Sequence, residues 1–368
     1  MKVLIATGLY PPEIGGPATY AVLLESGLPK RGIEPVVVPF ARVRKYPKIV
    51  RHIVYGWLLY RSLRGVSSII ALDPVSVGIP ARIVAFLTRT PFIVKIVGDY
   101  AWEQASQRSG YSGTLESFQD ASVPFVPRIL RTLEHMVART AHRVIVPSKY
   151  LAGIVIRWGV KKERLQVIYN GVSIGDVGTR ETIRGMLHFD GELMLSVGRL
   201  APWKGFDVLI KVFARLRKKR KSLTLFIAGS GPDLARLEAV AERERVSDHV
   251  IFAGAVDHDA LMRYIRAADV FVLNTSYEGF SHLLIETMAV GTPIVTTHVG
   301  GNSEAITNNQ NGFLVAPNDM MALESRITRL LEDRVLSERI VSAARTKVAE
   351  FTDERTLDET AQVFTSLS

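Results

Sequence analysis

The chain has 368 residues, 47% of them hydrophobic, which is enough for two or three domains with cores of their own. It contains no cysteine, which excludes disulfides, thiolate zinc sites and a cysteine nucleophile and fits a reducing compartment. The net charge of +10 and the pI of about 9.7 favour anionic partners such as phosphates, nucleic acid or an anionic membrane face.

The sequence shows neither a signal peptide nor a membrane span. The apolar run Met1–Thr7 is too short for the core of a signal peptide. No stretch approaches the roughly 18 apolar residues of a transmembrane helix. We therefore expect a soluble or peripheral protein, in the cytoplasm or at the cytoplasmic face of the membrane.

Short β-branched runs alternate with amphipathic helical stretches from the start of the chain. Such a series predicts a doubly wound parallel sheet. The predicted strands of this first series are Val3–Ala6, Val36–Val38, Ile69–Leu72, Phe92–Val97 and Val144–Val146. The helices between them include Ala18–Leu28 and Val75–Leu87.

Gly15 and Gly16 follow the first strand and precede a helix that Pro17 opens. Glycines before a helix let a phosphate approach the backbone closely, although a plain strand-to-helix turn uses the same residues. The pattern G-x-G-x-x-G is absent here, which counts against an NAD site.

Residues 42–64 contain seven Arg and Lys residues and no acidic residue. Apolar residues recur at helical spacing in this stretch, with Trp57 among them. A basic amphipathic helix with an aromatic residue is typical of elements that lie on an anionic membrane surface. The same apolar stripe could instead pack on the sheet, so both interpretations stay open.

A second α/β series begins after Tyr169-Asn170-Gly171-Val172. Its predicted strands are Met194–Val197, Leu223–Ala228, Val250–Phe252, Val270–Leu273 and Ile294–Thr296, and its helices include Phe206–Lys218, Leu234–Glu244 and Leu261–Ala267. We place the domains at residues 1–172 and 173–350, with residues 351–368 as a C-terminal helix that could cross back to the first domain. Two such domains imply a ligand cleft between them.

Two cations follow the first strand of the second series. Arg199 comes directly after that strand, and Lys204 lies at the start of the next helix. A forked guanidinium and a point-charge ammonium five residues apart suit a diphosphate, although a solvated pair at a helix start is the alternative. Gly229-Ser230-Gly231-Pro232 follows the next strand, at the same edge of the sheet.

Glu278 lies in the loop after the strand Val270–Leu273, and Glu286 lies within the helix that follows. The N-terminus of that helix suits a phosphate, and Gly279 permits close approach of the backbone. Two carboxylates around an anion site make sense when the ligand also carries hydroxyls, which donate hydrogen bonds to them. The alternative is a helix-dipole partner and a surface helix residue.

The segment from Glu278 to Ala289, followed by Gly291-Thr292-Pro293, resembles the E-x7-E region of retaining GT-B glycosyltransferases of family 4. The segment from Gly198 to Gly205 is similar to the G-R-x4-K-G pattern of that family. The resemblance implies a GT-B fold, an α/β architecture of two Rossmann-like doubly wound domains facing across a cleft. It also implies retaining transfer of a hexosyl unit from a nucleotide-diphosphate sugar to a hydroxyl acceptor, such as a lipid-linked or polysaccharide-precursor glycan.

The resemblance also implies roles for individual residues. Arg199 and Lys204 would stabilise the leaving diphosphate, Glu278 would hold hydroxyls of the donor sugar, and Glu286 would hold the ribose. The donor-binding residues implied in this way are Gly15, Gly16, Gly198, Gly229, Gly231, Gly279, Phe280, Ser281, His282 and Glu286.

Asp99 completes the expected catalytic set. Many members of the family carry a histidine near the end of the strand Phe92–Val97, and this sequence has none there. Asp99 is the nearest polar residue that could orient the acceptor or bind sugar hydroxyls. Capping of the following turn is the alternative role of Asp99. We expect residues 104–122 to form a long loop over the acceptor.

Several other site classes are not supported by the sequence. Asp257-His258-Asp259 matches the D-x-D of metal-dependent transferases but immediately precedes a helix, which capping explains better. We expect no metal, no cofactor other than a UDP or GDP sugar as donor substrate, and no nucleic-acid partner. A sugar-nucleotide epimerase of related fold and a non-catalytic basic binding protein are the alternative functions.

Overall fold

The computed structural model describes residues 1–13 and 15–367, which form twelve β-strands and sixteen α-helices. Contacts between Cα atoms divide the chain into two compact units. The first unit comprises Met1–Gly171 together with the segment from Asp353 onward, and the second comprises Val172–Thr352. No helix in the described ranges is both long and apolar enough to cross a bilayer.

The first unit contains a six-stranded parallel sheet in the order β2-β1-β3-β4-β5-β6. The strands are β1 Lys2–Thr7, β2 Glu34–Pro39, β3 Ser68–Ala71, β4 Phe92–Lys95, β5 Arg143–Val146 and β6 Leu165–Val167. The helices between them are α1 Gly16–Gly27, α2 Lys48–Arg61, α3 Gly78–Thr88, α4 Tyr100–Arg108, α5 Leu115–Phe118, α6 Phe125–Thr140 and α7 Lys149–Arg157. β3 and β4 are buried along their whole length, as their continuous apolar runs predict.

The second unit contains another six-stranded parallel sheet, in the order β12-β11-β10-β7-β8-β9. Its strands are β7 Leu193–Val197, β8 Thr224–Ala228, β9 Val250–Gly254, β10 Val270–Leu273, β11 Ile294–Thr297 and β12 Phe313–Val315. Its helices are α8 Arg180–Met186, α9 Phe206–Lys219, α10 Leu234–Arg243, α11 His258–Ala267, α12 His282–Val290, α13 Asn302–Ala305, α14 Met320–Glu332 and α15 Arg334–Val348.

Each sheet has one point where the strand order reverses. In the first unit the reversal lies between β1 and β3, and in the second it lies between β7 and β10. The loops that leave the carboxyl ends of such neighbouring strands diverge to opposite faces of the sheet and open a crevice for ligands. Both the cation-bearing loop after β7 and the Glu278 loop after β10 start at this point.

The C-terminal helix α16, Asp353–Thr365, packs into the first unit. Leu357 joins the core cluster that includes α1, and the Thr360 hydroxyl lies 2.9 Å from the Tyr20 hydroxyl in a buried hydrogen bond. Arg31 donates hydrogen bonds to the Asp358 and Glu354 carboxylates at 2.6 and 2.7 Å. The predicted helix extended to Ser368, which lies outside the described residues.

Two features of the fold differ from the sequence predictions. Residues 104–122 are not one long loop, because α4 continues through Arg108 and α5 follows. The edge strands β6 and β12 were not predicted. Each has three residues, which is too short for a hydrophobic period to appear.

Candidate active site

The loops after β7 and β8 are packed together so closely that glycine is required between them. A Cβ atom on Gly229 would collide with the carbonyl oxygen of Gly198, and one on Gly231 would collide with that of Leu200. The backbone N–H of Leu200 donates to Ser230 O at 3.0 Å. The predicted glycine loop therefore fixes the backbone on either side of Arg199, whose own side chain is exposed.

Lys204 and Glu278 form an ion pair across the strand reversal of the second sheet. The Lys204 Nζ lies 2.6 Å from the Glu278 Oε2, and the two side chains are 15% and 19% exposed. Restricted contact with water strengthens such a pair compared with one on the surface. The structure thus brings together the cation predicted for the diphosphate and the carboxylate predicted for the sugar.

The Glu278 loop is held by hydrogen bonds to two neighbouring loops, which the sequence reasoning missed. The Asn274 side chain donates to Gly205 O at 3.0 Å and accepts from the Asn318 N–H at 3.1 Å. The Ser276 N–H donates to Trp203 O at 2.7 Å. The bonds to Gly205 and Trp203 join the loop after β10 to the turn that carries Lys204, and the bond from Asn318 joins it to the loop after β12. A polar Asn directly after a buried strand was the available signal.

The N-terminus of α12 lies at the end of the same loop. Ser281 occupies the N-cap position, is buried, and makes no capping hydrogen bond with its side chain. The first amides of this helix carry the positive end of its dipole and suit an anion. A Cβ atom on Gly301 would collide with Gly279 O, so the neighbouring loop after β11 supports the backbone of Gly279 and Phe280.

Glu286 lies one turn inside α12, with its side chain 14% exposed. Its Oε1 is 3.8 Å from Nδ1 of His258, the first residue of α11. His282 is the first residue of α12 itself. The second unit therefore holds Arg199, Lys204, Glu278 and Glu286 on elements that start at the carboxyl edge of one sheet.

In the first unit, Gly15 precedes α1 and Gly16 is the first residue of that helix. Because Gly15 has no side chain, nothing from the N-cap residue covers the first amides of α1. The backbone torsion φ of Gly15 is 151°, which favours glycine. The geometry is therefore compatible with the predicted close approach of a phosphate or an acceptor.

The sequence reasoning missed Asp73, which lies at the strand reversal of the first sheet. Its Oδ1 accepts hydrogen bonds from the N–H groups of Val75 and Ser76 at 2.9 and 2.5 Å. A Cβ atom on Gly8 would lie 2.8 Å from the Asp73 Oδ2, so the loops after β1 and β3 meet here. Burial raises the pKa of the Asp73 carboxyl.

Asp99 is fully buried, and its contacts are those of a helix cap. Its carboxylate accepts from the Trp102 N–H at 2.7 Å and from the Gln119 side-chain amide at 3.0 Å. Glu134, also fully buried, accepts from the N–H groups of Tyr100 and Ala101 at 2.9 Å each. Two carboxyl groups thus hold the start of α4. Asp99 therefore makes the contacts of a helix cap, which was the alternative role. That Asp99 orients the acceptor stays a prediction.

We expect the Asp99–Glu134 pair to make the stability of the first unit pH-dependent. Burial, and then the negative charge of Asp99, raise the pKa of the Glu134 carboxyl well above its ordinary value. Because the folded state holds the proton on Glu134 more tightly, protonation of this carboxyl adds to the free energy of unfolding. This contribution is fully present below the ordinary carboxyl pKa of about 4 to 4.5, and it is lost as pH rises through the raised pKa of Glu134.

Glu134→Gln, which cannot ionise, should therefore lose less stability than the wild type as pH rises. Thermal unfolding of both proteins from acidic to alkaline pH measures this difference. Glu163→Gln, at an exposed carboxylate, is the matched control. Equal pH dependence of unfolding in the wild type and Glu134→Gln would show that Glu134 does not titrate as described.

Asp257 of the D-x-D segment is the N-cap of α11 and accepts from the Ala260 N–H at 2.9 Å. Throughout residues 1–13 and 15–367, no three His, Cys, Asp or Glu side chains are grouped so that they could hold a metal ion. The hydrogen bond from Ala260 is the one that the capping interpretation of Asp257 predicted.

Both halves of the chain match known families of glycosyl transferases. Residues 15–171 match the family described as glycosyl transferase 4-like domain, and residues 180–347 match the glycosyl transferases group 1. The chain belongs to the group 1 glycosyl transferases. The resemblance that the sequence motifs indicated is thereby confirmed.

Among the relatives of this group 1 glycosyl transferase is glycogen synthase from Mycobacterium tuberculosis. The two are 37% identical over 172 residues, which cover 46% of this chain and 42% of that protein. The chain spans about half the length of the curated relatives it matches.

Solved structures of the same architecture match the whole chain. Sucrose-phosphate synthase from Thermosynechococcus elongatus has a TM-score of 0.82 at 20% identity, covering 100% of this chain and 98% of the other. HepE from Anabaena, in complex with UDP-glucose, has a TM-score of 0.78 at 20% identity, covering 100% of each chain. The expected α/β fold of the GT-B type, with two Rossmann-like domains, is confirmed.

Proposed function

We propose that this protein is a retaining glycosyltransferase that moves a hexosyl unit from a nucleotide-diphosphate sugar to a hydroxyl acceptor. One observation carries the proposal. The partly buried Lys204–Glu278 ion pair lies where the strand order of the second sheet reverses, in the loop that leads to the uncapped N-terminus of α12. A cation, a carboxylate and the positive end of a helix together match a ligand that carries both a diphosphate and hydroxyls.

In the proposed reaction the bond between the anomeric carbon and the diphosphate oxygen breaks, so negative charge builds on the leaving nucleotide. Lys204, Arg199 and the first amides of α12 stabilise that charge without having to reorganise. A carboxylate has about four lone-pair sites, so Glu278 keeps one contact with Lys204 and accepts from sugar hydroxyls with the rest. Glu286 accepts from the ribose.

Retention of the anomeric configuration is part of the proposal. The acceptor oxygen bonds to the anomeric carbon on the face that the diphosphate leaves. The acceptor proton passes to an oxygen of the departing phosphate, so no protein base is required at that step. The family resemblance supports this route, and an inverted product would contradict it.

The partners remain proposals of the same kind. A UDP or a GDP sugar is the donor, and the likeness to HepE, whose structure holds UDP-glucose, supports testing UDP sugars first. The acceptor is the hydroxyl of a glycan, either lipid-linked or part of a polysaccharide precursor. The absence of cysteine supports action in the cytoplasm. The first unit is proposed to hold the acceptor and the second the donor.

Incubation with a panel of UDP and GDP sugars, with and without glycan acceptors, tests the function. Release of nucleoside diphosphate that depends on the acceptor is the expected result, and NMR of the anomeric proton of the product reports the configuration. Conversion of one sugar nucleotide into another would indicate the epimerase instead. Binding without any turnover across the panel would favour a non-catalytic binding protein.

A further inference from the structure

The outer face of α2 is apolar and exposed. Its large side chains recur at three- and four-residue spacing and form one stripe opposite the buried Tyr55 and Leu59. The stripe consists of Ile49, Val50, Ile53, Trp57 and Tyr60, with Ile49 78% and Trp57 53% exposed. Ile49, Val50, Ile53 and Trp57 of the predicted apolar stripe are therefore not packed on the sheet, whereas Val54 and Leu58 are half-buried.

Two neighbouring helices extend the same surface. α3 exposes Ile83, Phe86 and Leu87, and α6 exposes Phe125, Val126, Ile129 and Met136. The three helices lie side by side in the order α2, α3, α6: Gly56 of α2 faces Pro80 and Val84 of α3, and the Arg82 Nε of α3 donates to the Thr140 hydroxyl of α6 at 2.9 Å. Twelve of the 22 exposed large apolar side chains in the described residues lie on these helices.

The charge of this three-helix face is of one sign. Neither α2 nor α3 contains an acidic residue, and the single acid of α6, Glu134, is fully buried beneath the surface. Exposed basic residues lie on these helices or just after their ends, namely Lys48, Arg61, Arg64, Arg89, Arg128 and Arg139. The Arg61 guanidinium stacks 4.8 Å from the centre of the Trp57 ring, so cation and aromatic ring form one group.

The N-terminal end of α2 connects this face to the rim of the first sheet. Arg44, just before α2, donates to Gly8 O at 3.0 Å and forms an ion pair with Glu13. Gly8 and Glu13 lie in the loop that leads from β1 to Gly15 and α1. A molecule bound at the N-terminal end of α2 would therefore lie beside the loop at Gly15 and Gly16, which is proposed to face the acceptor.

We infer that the three-helix face, formed by α2, α3 and α6, docks the protein on the surface of an anionic lipid bilayer. The exposed apolar side chains enter the boundary between head groups and acyl chains, while the basic residues contact anionic head groups. This goes beyond the proposed reaction, because it assigns a lipid partner to a surface of the first unit and requires no particular donor.

Charge decides between the bilayer and a second copy of the chain as the occupant. Two copies meeting through this face would bring basic surfaces together with no exposed acid from these helices to pair them, and like charges across an interface are unfavourable. An anionic bilayer supplies both the apolar layer and the opposite charge. Membrane docking here also presents the rim of the first sheet to an acceptor anchored in the same bilayer.

Co-sedimentation of the full chain with vesicles tests the inference. We compare pure phosphatidylcholine with an equal mixture of phosphatidylcholine and phosphatidylglycerol. The face variant carries Ile53→Ser, Trp57→Ser and Phe86→Ser. The control variant removes three exposed apolar side chains of the second unit by Met186→Ser, Met321→Ser and Val335→Ser.

We expect the wild type and the control variant to bind the anionic vesicles, with an affinity that falls as salt is raised. The affinity of the face variant should be lower by about tenfold or more. Vesicle binding should also shift the tryptophan emission of the wild type to shorter wavelength. A smaller shift in a Trp57→Phe variant would support burial of Trp57 in the bilayer. No binding to anionic vesicles, equal binding by the face variant, or a dimer that the face substitutions dissociate would each overturn the inference.

The assay contains no donor and no acceptor, so its failure is separable from failure of the proposed function. Donor hydrolysis by the face variant in solution is expected to equal that of the wild type, because the substituted side chains are exposed and lie outside the second unit. A parallel loss of hydrolysis and of thermal stability would instead reveal a damaged fold, and a Trp57→Ser single variant then replaces the triple one.

Discussion

Lys204→Ala is expected to lower kcat/KM for the donor by about 10²- to 10³-fold, the loss typical of removing one fixed stabiliser of transition-state charge. The Lys204 ammonium lies 2.6 Å from the Glu278 carboxylate and is only 15% exposed, so its charge is fixed in place before the reaction. Most of the loss should appear in kcat, because negative charge on the diphosphate increases as the glycosidic bond breaks. Steady-state kinetics of nucleoside diphosphate release measures kcat and kcat/KM.

A second possibility is that Lys204 acts only by holding Glu278 in position. A Glu278→Ala background separates the two roles. If Lys204 serves only to position Glu278, its removal from that background has no further effect. We expect a further loss of about tenfold or more, because the ammonium in the proposed reaction also stabilises the diphosphate.

Two variants control for charge and for general damage. Lys204→Arg keeps the positive charge and should recover part of the activity, although a guanidinium does not reproduce the geometry of an ammonium. Lys218→Ala removes an exposed lysine from the last turn of α9 and should leave the kinetics unchanged. Near-wild-type turnover in Lys204→Ala would refute the assignment of this site.

Gly229→Ala should destabilise the second unit by about 2–4 kcal/mol and prevent nucleotide binding. The new Cβ would collide with the backbone carbonyl of Gly198, and a backbone atom cannot move aside as a flexible side chain can. The φ of Gly229, 141°, adds strain for any residue with a side chain. Relief of the clash must displace the loop that carries Arg199. Thermal unfolding with and without UDP or GDP measures both effects.

Two other glycines separate the collision from the torsional strain. Gly254 has a φ of 67° but open space around it, so Gly254→Ala should cost only about 1–2 kcal/mol. Gly175 has neither constraint, and Gly175→Ala should change stability by less than about 1 kcal/mol. If Gly229→Ala behaved like Gly175→Ala and still bound nucleotide, the close approach of the two loops would not be required.

The sequence alone predicted the two parallel α/β series and the sheet edge that carries the residues proposed to bind the donor. Buried β-branched runs identify the longer strands, and the carboxyl ends of parallel strands share one edge, so Arg199 and Glu278 could be placed on one rim without coordinates. It did not predict the three-residue edge strands, nor Asn274 and Asn318. The roles of these two side chains depend on partners 44 residues apart in the chain.

The role of Asp99 could not be decided from the local sequence pattern. A carboxylate after a strand and before a helix suits both a ligand and a cap, and the sequence cannot weigh them. Burial against Glu134 of α6 and Gln119, which follows α5, determines the contacts that Asp99 makes. The apolar stripe on α2 shows the same limit, because amphipathic spacing does not determine which side of a helix packs against a neighbour. Here the structure leaves the apolar side chains exposed, whereas it buries Asp99.

The sequence thus determined the family, the two α/β units and the positions of the motifs proposed to bind the donor, because short-range periodicity and motif spacing are local properties of the chain. The tertiary structure decided the pairing of Lys204 with Glu278, the docking of α16 on the first unit and the exposure of the apolar stripes of α2, α3 and α6. The physical reason is that ion pairing and burial depend on residues distant in the chain, whose positions follow only when the whole sheet is assembled.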